Sequence, residues 1–177
     1  MLADGISRWT ADPGDYKLNR STFITLLGTF QTHMIPLVDM FASPGNHQLK
    51  RFVARWPHHQ AVACNALEID LNQDMFQKCW ANPPWTVIGD WLHRLRENPQ
   101  VTCIMAVPYW VGTTWWPLLV RMHVKHTPVV LVQPKEGLFT SCLGQRMPPT
   151  RWPLLCLLLS GRSYREGKFL LKISHHI

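Results

Sequence analysis

Two consecutive prolines, Pro83 and Pro84, constrain this chain more than any other feature. Neither a strand nor a helix runs through such a pair. The rings remove two backbone donors and push the preceding residue out of helical geometry. The pair divides an apolar run, "KCWA", from a helical pattern, "TVIGDWLHRL". The run before it reads as a buried strand. The pattern after it places Val87, Ile88, Trp91, Leu92 and Leu95 on one stripe of an amphipathic helix. An amide, Asn82, stands before the stop and an indole, Trp85, stands after it.

The same alternation extends in both directions. "RSTFITLLGTFQTH" sets Phe23, Leu26, Leu27 and Phe30 at helical spacing, with Ser21 as the expected N-cap. "IPLVDMFAS" reads as a buried strand that runs into a polar loop, "SPGNHQ". "HQLKRFVARW" is expected to form a short helix and "QAVACNAL" a second strand. Downstream, "VTCIMAVPYW" is a strongly apolar strand closed by Pro108. "TTWWPLLVRMHVK" is expected to be helical after Pro117, and "TPVVLVQP" is a further strand. A Gly- and Pro-rich loop over 134–153 precedes two last strands, "LLCLLLSG" and "KFLLKIS". Buried strands alternating with helices predict an α/β domain with a mainly parallel sheet. Residues 1–19 are turn-rich and show no core-forming period, so the domain is expected over 20–177.

Composition sets bounds on this reading. A chain of 177 residues can build one ordinary core. With 46% hydrophobic and 16% charged residues, it is not a disordered polyelectrolyte. The net charge of +7 permits contact with a polyanion, but an ordinary basic surface has the same composition. The five cysteines are odd in number, form no C-x-x-C pair and fall largely in apolar runs. They read as reduced, buried thiols. No N-terminal signal pattern is visible, and no apolar run approaches the roughly 20 residues that span a bilayer. The expectation is an intracellular protein, nuclear or cytoplasmic, without a membrane partner.

Parallel sheets of this kind bind ligands at the carboxyl ends of their strands. Two expected strands end in chemically useful loops, "VDMFASPGN" and "WANPPW". In the second, the Asn82 side chain offers an acceptor and a donor, the Pro83 carbonyl is free, and Trp85 presents a π face. Such a set can hold a planar amine by its two hydrogens while the ring it belongs to stacks. An exocyclic amine of a base fits if the base is flipped out of its helix. A purely structural turn accounts for the four letters equally well. His123 and His126 have a spacing that suits a metal, but no Cys or acid cluster joins them, so no metal site is expected. Trp110, Trp115 and Trp116 read either as core or as stacking surfaces. Arg51, Arg55, Arg94, Arg96, Arg121 and Lys125 read as solvated charges or as phosphate contacts.

"NPPW" resembles the D/N-P-P-Y/F/W motif of amino-directed DNA methyltransferases. Its context, "LVDMFASPGNHQLKRFVARW", "NAL", "WANPPWTVIGDWLHRL" and "VTCIMAVPYWVGTTWWP" in that order, is similar to the phage-type DNA N6-adenine methyltransferases. It is closer still to the methyltransferase-like segment of DIRS-type and related retrotransposon polyproteins. "ADGISRW" resembles the end of a retroelement ribonuclease H domain, in which Asp4 would match a metal-binding carboxylate. The strands that carry that domain's other carboxylates are not in this chain, so Asp4 is expected to be a relic.

The resemblance implies a Rossmann-like, methyltransferase-type sheet flanked by helices, over 20–177, behind a ribonuclease H tail at 1–19. It implies S-adenosylmethionine (SAM) as cofactor. DNA is the implied partner, including RNA–DNA intermediates of the element. Asn82, Pro83, Pro84 and Trp85 match the catalytic motif. Asp39, Phe41, Ala42 and Ser43 match the block that contacts SAM, with Asn46 after them. Asn65 stands where the pattern has an Asp that accepts from the cofactor adenine. The amide can still accept, without the strength of a charged acceptor.

Overall fold

The strand that ends at the double proline lies inside an eight-stranded sheet in the computed structural model, which describes residues 15–124, 128–163 and 174–175. Along the chain come β1 (Tyr16–Leu18), α1 (Arg20–Phe30), β2 (Val38–Ala42), β3 (Phe52–Ala54) and β4 (Ala63–Cys64). They are followed by β5 (Lys78–Ala81), α2 (Ile88–Glu97), β6 (Thr102–Pro108) and α3 (Trp116–Met122). The last elements are β7 (Val129–Leu131), β8 (Phe139–Ser141), β9 (Leu154–Ser160) and β10 (Ser174–His175).

The sheet has the order β10-β7-β9-β6-β5-β2-β3-β4. Neighbours pair in parallel except at β9, which is antiparallel to both β6 and β7. The sheet is therefore mainly parallel, with one reversed strand. The chain enters at β2, steps outward to β3 and β4, then returns to the other side of β2 as β5 and β6. The winding direction reverses between β2 and β5, which is the switch point of a doubly wound sheet.

Strand alternation explains why the run "KCWA" is apolar throughout. Cys79 and Ala81 face one side, packed with Ile88, Trp91, Leu92 and Leu95 of α2 and Leu119 and Met122 of α3. Trp80 faces the other side, against Phe23, Leu26 and Phe30 of α1. The Phe23 and Trp80 rings meet edge to face at 4.9 Å. With both faces covered, a strand reads as a continuous hydrophobic run. The α1 and α2 stripes expected from the sequence are the faces that are buried, with Leu27 and Val87 half-buried at their margins.

Three local expectations fail. Phe52–Ala54 is a strand, not a helix, and all three residues are buried. A short apolar run carries no period long enough to separate the two states, and pairing with β2 on one side and β4 on the other decides it. Asn19, not Ser21, precedes the first turn of α1, and it makes no side-chain cap. Its amide instead donates to the Gly137 carbonyl at 3.1 Å and its side-chain oxygen accepts from Thr140. The loop at 134–153 also contains β8, which pairs antiparallel with β1 as a separate two-stranded ribbon. Asp4 and the "ADGISRW" segment lie outside the described residues, as does most of "KFLLKIS", of which Ser174 pairs with Val129. No helix among the described residues is long and apolar enough to cross a membrane.

A turn closed by the Gly137 N–H on the Pro134 carbonyl leads into β8, and Gly137, with φ +74°, would bring a Cβ to 2.1 Å from the Met147 carbonyl oxygen. Gly137→Ala is expected to destabilise the protein by about 1–3 kcal/mol through strain and collision. Urea unfolding of the two proteins checks this, and an unchanged midpoint contradicts it.

Candidate functional site

The double proline fixes what happens at the end of β5. Ala81 still pairs with Met105 of β6, and the ladder stops there. Pro83 is buried and Pro84 is exposed with φ −51° and ψ 141°, so the backbone leaves the sheet extended. A single 3-10 turn, Trp85–Val87, then feeds α2, with the Val87 N–H donating to the Pro84 carbonyl at 3.0 Å. The half-buried Asn82 side chain and the Pro83 carbonyl make no hydrogen bond among the described residues. A donor–acceptor amide and a carbonyl thus stand without a hydrogen-bond partner among the described residues, at the carboxyl end of a central strand.

Trp85 is 41% exposed. Its ring meets Trp110 at 5.1 Å and Trp152 at 5.0 Å, both edge to face, and Trp110 meets Trp152 at 5.1 Å. This geometry is a favoured one for aromatic pairs. Trp110 follows β6, and Trp152 precedes β9, whose reversed direction starts it at the same end of the sheet. The Tyr109 N–H donates to the Pro153 carbonyl at 3.0 Å and ties these two loops together. No sequence pattern marks Trp152, because only strand direction places the Gly- and Pro-rich loop here. Trp115 and Trp116 lie apart from this trio, tilted against each other at 6.1 Å at the start of α3.

The residues matched to the SAM block lie one strand away, around β2. Phe41 is half-buried and meets Trp91 edge to face at 5.3 Å, and Ala42 is buried with Phe52 and Ala54. Ser43 and Asn46 close the following turn on each other. The Ser43 N–H donates to Asn46 Oδ1 at 2.6 Å, and the Gly45 and Asn46 N–H groups donate to Ser43 Oγ at 3.1 and 3.2 Å. Both side chains also donate to the Asp15 carboxylate. Asp15 is a neighbour of the site that no sequence period marks.

Asp39 sits early in β2 and is buried. The Gln48 N–H donates to its Oδ2 at 2.9 Å, while Oδ1 is buried without a hydrogen bond. Burial pushes this carboxyl up to about 7, against the lowering pull of the Gln48 and Phe41 N–H groups and of Lys17.

Asn65 follows β4, which lies two strands beyond β2, and it is the non-glycine residue with positive φ, 57°, among those described. Asn tolerates this left-handed conformation better than most residues. Its Oδ1 accepts from the Leu67 N–H at 3.3 Å, leaving a second lone pair and the NH2 group. The structure thus gathers Asn82–Trp85 with Trp110 and Trp152, and gathers Ser43 and Asn46 with Asp15, while Asp39 is held by Gln48. Asn65 stands separately.

Among the described residues no group of three or more His, Cys, Asp or Glu side chains could hold a metal. Cys79, Cys103 and Cys156 are buried and free, and burial raises the Cys79 and Cys156 thiols. No protein-family model matches the chain, and no curated protein matches it.

The raised Asp39 carboxyl has a consequence for stability. The unfolded chain releases this proton near 3.8 and the folded protein near 7. Between those values the unfolded state binds fewer protons, so this group's contribution to stability falls as pH rises and is flat above about 7. Asp39→Asn keeps an acceptor and removes the titration. Urea midpoints from pH 4 to pH 8 are expected to fall less steeply in the variant. Parallel profiles contradict the assignment.

Proposed function

We propose that the chain is a retroelement-derived, Rossmann-like methyltransferase-type domain that carries a methyl group from SAM to the N6 amine of adenine in DNA. The observation that carries this is the pair without a hydrogen-bond partner at the end of β5, the Asn82 amide and the Pro83 carbonyl next to Trp85 in sequence, near the switch point. The Asn82 and Pro83 oxygens each accept one hydrogen of the amine. This draws the nitrogen lone pair out of conjugation and toward a methyl donor. Trp85 offers the base a ring surface, and Trp110 and Trp152 brace that indole. If bound, SAM would supply a methyl already activated by its sulfonium: the S–CH3 bond would break as the N–CH3 bond forms, leaving a neutral thioether, and one amine proton would pass to solvent.

The fit to SAM is uneven. Asn65 retains a lone pair and an NH2 group for the adenine end. The methionine end finds a buried Asp39 already bound by Gln48, and Ser43 and Asn46 already engaged by Asp15. That observation favours a second reading, a non-catalytic remnant of a reverse transcriptase and ribonuclease H polyprotein that binds nucleic acid or braces its neighbours.

Asn82→Ala separates the two. Under the methyltransferase reading it lowers methyl transfer to an adenine-containing oligonucleotide at least about 100-fold, by removing one preorganised contact to the reacting group. SAM affinity stays largely unchanged. Equal turnover by the wild type and the variant sinks that reading.

A further inference from the structure

A second concave surface lies beside the first. Gly89, His93 and Arg96 follow one stripe of α2, and Thr114, Trp115, Pro117, Leu118 and Arg121 face them from α3 and its approach. The groove between them has a volume of about 300 Å³. Gly89 stands beside Trp115: a Cβ there would lie 3.8 Å from the Trp115 Cβ, in ordinary van der Waals contact.

The groove has a direction. It starts at Gly89 and Thr114, a few residues after Trp85 and Trp110, and runs along α2 for about 10 Å to Arg96. Its lining carries two guanidinium groups and an imidazole and no carboxylate. His93, Arg96 and Thr114 are exposed, and Trp115 is half-buried, so part of an indole faces the same space. Cations in a cleft with an aromatic wall match a chain of phosphates whose bases are unstacked. A single strand offers a base to the Trp115 wall without the cost of unpairing and unstacking that a duplex must meet.

We infer that the α2–α3 groove seats the sugar-phosphate backbone of a single-stranded nucleic acid, leading it toward the aromatic cluster at Trp85. Arg96 is the main phosphate contact, with His93 beside it and Trp115 as a stacking surface. This rests on the nucleic-acid half of the proposed function and is independent of methyl transfer.

The test is fluorescence anisotropy with a labelled single-stranded oligonucleotide over a salt series, on the full chain without SAM. Arg96→Glu removes a cation, and Thr114→Glu puts an anion in the groove. Both positions are exposed, and Lys135→Glu is the control for a changed net charge. Both groove variants are expected to bind about ten-fold more weakly, uniformly across sequences. The salt slope should become shallower by about 0.7 for each phosphate that a variant no longer neutralises. Groove variants that bind like Lys135→Glu overturn the inference. So does a duplex that binds through the same residues as tightly as the single strand, or adenosine monophosphate that competes as well as the oligonucleotide. Absent SAM binding with intact groove effects counts against the methyl-transfer reading only. Intact SAM binding without groove effects counts against the groove only.

Discussion

The carboxyl edge of this protein depends on where β5 stops. A central strand hydrogen-bonds to two neighbours, and here β2 and β6 flank it, with the β6 ladder running up to Ala81. Pro83 and Pro84 then end the ladder in a defined path, because their rings hold the backbone extended. The consequence is an amide and a carbonyl left without a hydrogen-bond partner among the described residues, held against a packed core. The same stop sets the start of α2, whose four buried side chains anchor the sheet from one side. A residue that continued the ladder would remove that pair and shift the helix together.

Electrostatics divides the edge into two parts. Around β2 the carboxylates are internal. Asp39 is buried with its proton favoured by desolvation, and Asp15 closes the turn at Ser43 and Asn46. Along the α2–α3 groove beyond β5 the lining groups are indole and cations, from Trp115 to Arg96. Cations beside an indole suit a phosphate-bearing ligand better than a cationic one. SAM carries a positive sulfonium, so the proposed chemistry leans on Asn65 and on the aromatic trio rather than on a charged acceptor.

Much of this was legible in the sequence, and the limits have physical causes. Helical stripes in α1 and α2 are long enough for a 3.6-residue period to declare itself, and long apolar runs marked β2, β5, β6 and β9. The double proline marked the site because it excludes other backbones outright. The three-residue strands β1, β3 and β8 were not legible. Phe52–Ala54 has the same composition as a helix segment, and pairing partners distant in sequence make it a strand. β1 and β8 form through each other, across more than a hundred residues, and neither shows a pattern alone. Trp152 and Asp15 join the site only through strand direction and loop return, which no local pattern encodes. Asp39 was readable as an acid at a strand, but its burial is a property of the packed neighbours.

Methyl transfer requires that the carboxyl edge from β2 to Asn65 take the methyl donor while Asn82 and Pro83 hold an amine. Calorimetric titration of SAM into the purified, folded chain tests this most directly. Binding at micromolar concentrations, weakened by Asn65→Ala, is the predicted result. A chain that gives a cooperative unfolding transition and no heat of SAM binding would contradict it and leave a nucleic-acid-binding remnant in its place.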